Sequence, residues 1–180
     1  MTTTSLRSAL FEACGHGLTL VEAVVVISRI PYGRPTDRTA RGVLAEWRGT
    51  CSTKHLLLAE VVNDGWPKCR PELWHRVYRV TPGLAAQRWG EAVAATVPPE
   101  GLVDVHTFAT LLVDGDRRVR VDVTMPLAGW DGGSDIRLAC GPGDDEPAGD
   151  DPMATKASLV AEHCDVVLRE RFIAALSEAT

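Results

Sequence analysis

The chain has 180 residues, 45% hydrophobic and 24% charged, with a formal net charge of −5 and a pI of about 5.5. That length suits one domain (residues 1–180) with a substantial core, and the acidic balance argues against nucleic acid or anionic membrane as partners. Five cysteines at irregular spacing make no disulfide framework, no apolar run approaches the roughly 20 residues of a membrane span, and no secretory signal opens the sequence, so a reduced, cytoplasmic protein is expected.

Residues 3–13 read as a short helix stopped by Gly15, His16 and Gly17. Thr19 caps a second apolar stretch, 20–30, where Glu22 and Ala23 favour helix over strand. Pro31, Gly33 and Pro35 force a loop, after which Thr36 or Asp37 caps a helix running to Trp47. The next helix, 51–65, opens at Cys51 with Thr50 as its cap, carries Leu57, Leu58, Val61 and Val62 as an amphipathic stripe, and stops at Asn63, Asp64 and Gly65.

Beyond Pro67 the character changes. Residues 73–80 have strand composition, and 84–96 read as an intervening helix. A hairpin follows, with arms 103–113 and 118–124 around a turn at Asp114, Gly115 and Asp116. Residues 127–152, rich in Gly, Pro and Asp, read as a long loop, and helical patterns at 153–163 and 165–178 close the chain. Helices followed by an antiparallel sheet, with C-terminal helices, make an α+β fold.

Cys51 falls in the first turn of its helix, where unpaired N–H groups and the helix dipole favour thiolate. With a three-residue turn, Val113 faces Arg117 and His106 lies opposite Thr124. Asp122 is then the diagonal neighbour of His106 on one face, within side-chain reach. A carboxylate flanked by Val121 and Val123 calls for a partner, and imidazole is the partner within reach. Cys51, His106 and Asp122 thus form a set of nucleophile, base and orienting acid.

The segments Gly-Thr-Cys-Ser-Thr-Lys-His-Leu-Leu-Leu, Val-Asp-Val-His-Thr-Phe and Arg-Val-Asp-Val-Thr-Met-Pro resemble the transglutaminase-like superfamily, a branch of the papain-like cysteine enzymes. The resemblance covers about 31–126. It implies acyl transfer through a thioester, without a cofactor or metal, on a small-molecule or peptide amide or related acyl substrate, with release to water or an amine. It also implies a second oxyanion donor upstream of Cys51, beside the Cys51 N–H itself, for which Tyr32 and Trp47 are the candidates.

Further candidates come from the residues themselves. Lys54, near Cys51 on the same helix, could favour thiolate or hold a substrate carboxylate, and Arg34 could bind an anionic substrate group. His55, one turn from Cys51, is a rival base without an orienting acid. Cys14 with His16, and His163 with Cys164, lack the paired spacing of a zinc site. The acidic run 144–151 lacks the ligand spacing of a calcium loop. Cys140 is a candidate near-site residue. The rival reading is a non-catalytic binding module with a buried, unreactive Cys51.

Overall fold

The computed structural model describes residues 5–179. Helix α1 (Leu6–Cys14) ends at Gly15, whose φ of 77° is left-handed and suits a residue without Cβ. Helix α2 (Leu20–Ser28) starts with a capping box: Thr19 N–H donates to Glu22 Oε2 at 2.8 Å, and Glu22 N–H donates to Thr19 Oγ1 at 3.3 Å. Helix α3 (Ala40–Glu46) begins later than expected, with Thr39 as its cap. The residues expected to cap it are engaged elsewhere: Asp37 accepts from Thr39, and the Thr36 and Asp37 N–H groups both donate to Glu46.

Helix α4 (Cys51–Gly65) is the expected Cys51 helix. Its stripe of Leu57, Leu58, Val61 and Val62 is fully buried with Leu10, Ile27 and Val43 from α1–α3. A short 3-10 turn, Pro67–Cys69, leads into the sheet. Burying each such aliphatic side chain contributes about 1.5–3 kcal/mol, more than intrinsic helix propensity supplies at any one position.

The sheet has four strands in the order β3-β2-β1-β4, every neighbour antiparallel: β1 (Glu72–Val80), β2 (Leu102–Val113), β3 (Arg117–Val121) and β4 (Gly143–Pro147). Val113 pairs with Arg117, which is the register expected from the three-residue turn. Alternate residues of β2 serve two cores. Ala109, Leu111 and Val113 pack with α1–α4, whereas Leu102 and Phe108 join Phe172, Ile173 and Leu176 of the last helix.

Two segments depart from expectation. The helix expected over 84–96 is divided by Gly90 (φ 92°) into α5 (Pro82–Trp89) and α6 (Glu91–Ala94). The expected loop 127–152 contains β4, whose five residues are all exposed. Its sequence, Gly-Asp-Asp-Glu-Pro, carries no apolar alternation, so periodicity could not reveal it. It is held by the open edge of β1 and by Asp145, which Arg76 grips through two nitrogens at 2.6 and 2.7 Å. Helices α7 (Pro152–His163) and α8 (Val166–Ala179) follow, with Asp151 Oδ1 capping α7 through the Met153 and Ala154 N–H groups.

Candidate active site

Cys51 sits at the first position of α4 and is 4% exposed. The chain enters that helix through Gly49, whose parallel bridge to Tyr32 sets the Pro-rich loop alongside. A Cβ on Gly49 would stand 2.6 Å from Lys54 Cγ, so glycine is what this approach requires. Thr50 N–H donates to Thr53 Oγ1 at 2.9 Å, which takes up one donor ahead of the first turn.

His106 on β2 and Asp122, just past β3, meet as the register demands. His106 Nε2 lies 2.7 Å from Asp122 Oδ2, with both side chains buried. Asp122 also accepts from Thr124 N–H at 2.8 Å and Ala139 N–H at 2.7 Å. Burial opposes ionisation of Asp122, but the charge and hydrogen bond of His106 outweigh it and hold the carboxyl well below its ordinary range. The Tyr78 and His55 rings each stand edge-on to His106, 6.4 Å between centroids, and fix its plane. With Nε2 committed to Asp122, the other ring nitrogen is the one left to bond Cys51.

The two ionisations support each other. Burial alone would raise the Cys51 thiol, yet the Lys156 ammonium and the His106 imidazolium together bring it well below its ordinary value. Burial alone would lower His106, yet Asp122 and Cys51 raise it well above its ordinary value. Each group thus favours the charged form of the other.

Lys156, on α7, has Nζ 3.0 Å from Cys51 Sγ and 3.1 Å from Thr107 Oγ1. Thr107 in turn contacts His75 Nδ1 at 3.1 Å, and His75 Nε2 lies 2.9 Å from the Pro152 carbonyl at the start of α7. This chain of contacts ties the covering helix to the sheet at Cys51. Residues after 126 thus complete the site, which extends the expected 31–126 core: α7 supplies Lys156, and Ala139 supplies a donor to Asp122. Lysines number three against sixteen arginines in the chain, and two of the three, Lys54 and Lys156, are buried. Where arginine is the default cation, a lysine on a half-apolar helix marks a place needing a compact ammonium, a signal sequence reasoning overlooked.

The remaining candidates separate clearly. Tyr32 is buried and lines, with Cys51, a cavity of about 330 Å³ between the Pro-rich loop, α4, α7 and α8. Burial pushes its phenol well up, so it is a neutral O–H beside Cys51. Arg34 lines the same cavity, its guanidinium clamped bidentately by Glu170 of α8 at 2.8 and 2.9 Å.

Trp47 is not brought there. It is 38% exposed, holds the left-handed φ of 48° that ends α3, and is absent from the cavity wall, which corrects its candidacy as an oxyanion donor.

Lys54 is also corrected, because it is fully buried and its Nζ donates to three carbonyls, those of Ser28, Ile30 and Thr124, at 2.7–2.9 Å. No proton remains for a substrate. Burial lowers its pKa to about 7.

His55 is excluded as a base by its bonds. Its Nε2 accepts from Val123 N–H at 3.1 Å, so its Nδ1 carries the proton donated to the Cys51 carbonyl at 2.6 Å. Cys140 is buried one residue beyond the Ala139 donor, and burial pushes its thiol up, so it is a neutral neighbour of the site. Among the described residues, no group of three or more His, Cys, Asp or Glu side chains is placed to hold a metal, and no helix is long and apolar enough to cross a membrane.

The arrangement sets a cysteine at a helix N-terminus beside an imidazole oriented by a buried carboxylate, next to a cavity of about 330 Å³, a grouping that can support nucleophilic and acid–base chemistry. No family model, curated protein or solved structure matches this chain.

Proposed function

We propose that the protein is a cysteine-dependent acyl-transfer enzyme of the transglutaminase-like kind, acting on an amide and releasing the acyl group to water or to an amine. The observation that carries the reading is the pairing of Cys51, at the head of α4, with a His106 whose far nitrogen is held by Asp122 at 2.7 Å. In this reaction the Cys51 thiolate attacks the carbonyl carbon and forms a C–S bond. As the C–N bond breaks, His106 gives its proton to the leaving amine. Neutral His106 then takes a proton from the incoming water or amine as its oxygen or nitrogen bonds to the carbonyl carbon, the thioester C–S bond breaks, and the acyl product departs, leaving Cys51 as thiolate and His106 as imidazolium. The developing oxyanion would be met by the Cys51 backbone N–H, which has no partner within the helix, and by Tyr32 or Lys156 from the cavity wall.

The deciding experiment is the rate of Cys51 alkylation by iodoacetamide between pH 5 and 9, mapped by mass spectrometry, in wild type and His106→Ala. Rapid reaction at pH 6, lost in the variant, supports the enzyme. An ordinary thiol profile, indifferent to the substitution, refutes it. One observation favours the second reading, a non-catalytic binding module: Cys51 is only 4% exposed beneath α7. That reading predicts slow alkylation by every reagent.

A further inference from the structure

The cavity beside Cys51 has four cationic side chains on its wall: Arg34, Arg38, Lys156 and Arg169. Three are matched. Arg34 grips both oxygens of Glu170, Arg169 Nε is 2.7 Å from Asp104 Oδ1, and Lys156 faces the Cys51 sulfur. Arg38 is the fourth. It is exposed at the cavity mouth, where its charge acts on Glu170. Glu170, the carboxylate in the cavity wall, is held by Arg34 through both oxygens and is also acted on by Arg169 and Arg38, so one anion in the wall is set against four cations.

Chemistry at Cys51 widens this imbalance. When the thiolate becomes a neutral thioester and the His106 proton leaves with the amine, Lys156 loses the anion it faces. The acyl-enzyme cavity then holds a Lys156 without the anion it faced, and an Arg38 that shares the single Glu170 with Arg34 and Arg169. The rest of the wall is apolar: Met153, Ala157 and Val160 of α7 and Ile173 of α8. A volume of about 330 Å³ is at the small end of ligand pockets.

Resting on the acyl-transfer reading above, we infer that the substrate is the amide of a small acyl group bearing a carboxylate, its short carbon chain against the α7 wall and its carboxylate drawn to Arg38. Arg38 is then a specificity residue, and Lys156 is the second cation that the anionic acyl group meets once the thioester has formed.

The test uses two alkylating reagents that differ in charge, iodoacetate and iodoacetamide, each measured at Cys51 at pH 6 in wild type, Arg38→Gln and Arg38→Lys. The expected result is an iodoacetate-to-iodoacetamide rate ratio above one in wild type. It should fall about three- to tenfold in R38Q, recover in R38K, and shrink as salt rises from 0.02 to 0.5 M. A ratio below one that R38Q leaves unchanged, with iodoacetamide still fast, overturns the anionic substrate and leaves the acyl-transfer reading standing. Slow reaction with both reagents at pH 6 overturns the two together.

Discussion

Lys156 Nζ stands 3.0 Å from Cys51 Sγ, although 105 residues separate them in the chain. The contact joins the covering helix α7 to Cys51 on α4, and it places a buried ammonium where it lowers the thiol pKa. A charged hydrogen bond of this kind contributes about 1.5–3 kcal/mol.

Replacing Lys156 by Met should therefore raise the thiol pKa of Cys51 and slow its alkylation at pH 6 by roughly ten- to a hundredfold. Thiolate absorbance near 240 nm, followed against pH, reads the shift directly. An unchanged titration in a folded K156M would remove Lys156 from the electrostatics of the site.

The opposite shifts of Cys51 and His106 set the expected pH profile of turnover. In the proposed acyl transfer a thiolate and an imidazolium are needed together, so the acid limb should follow Cys51, displaced well below its ordinary 9.0, and the alkaline limb His106, displaced well above its ordinary 6.5. The profile should be a broad bell spanning neutrality. An acid limb above pH 8 would contradict it.

Asp122 should matter to stability as well as to reactivity. Its folded-state pKa lies below the ordinary 3.8, so its stabilising contribution is present above pH 3.8 and is lost as pH falls through the folded value. Asp122→Ala strands His106 and the Thr124 and Ala139 N–H groups in a buried site, at a cost of about 3–5 kcal/mol at neutral pH. Urea unfolding at pH 7 and pH 3 should show a larger penalty at pH 7. An equal penalty at both would mean the carboxylate charge contributes nothing.

His55 should prove a positioning residue. His55→Gln keeps a donor for the Cys51 carbonyl and a possible acceptor for Val123 N–H, so the folded variant should retain rapid alkylation at pH 6. His55→Ala loses both bonds in a fully buried position and should cost about 2–4 kcal/mol in chemical unfolding. Loss of alkylation in folded H55Q equal to that in His106→Ala would restore His55 as a base.

Lys54→Met should destabilise the fold by about 2–4 kcal/mol, because three backbone carbonyls from α2, its exit and the 122–126 segment lose their common donor. Its midpoint in urea compared with wild type gives the answer, and a neutral result would mean that water replaces the ammonium.

The helix at 51–65, the hairpin and its register were legible because each is written in local chemistry. An apolar stripe, a three-residue turn and alternating valines act over a few residues, and the register they impose brings His106 to Asp122. Trp47 and Lys54 were misread because residue type does not reveal direction. A left-handed C-cap turns Trp47 away from the cavity, and the close approach of Gly49 directs Lys54 into the interior. Strand β4 was hidden for a related reason: an acidic segment pairs through its backbone and one arginine, neither of which leaves a periodic signal.

By itself, then, the sequence determined the α+β layout, the helix that opens at Cys51 and the strand register that pairs His106 with Asp122. Each of these is decided by hydrophobic period and turn chemistry within a short span. The tertiary structure alone decided that α7 lies over Cys51, that Lys156 rather than Lys54 faces the sulfur, and that Arg38 stands at the cavity mouth. Those outcomes depend on which charges can be desolvated together. That in turn depends on how distant helices pack around the sheet, which no local pattern encodes.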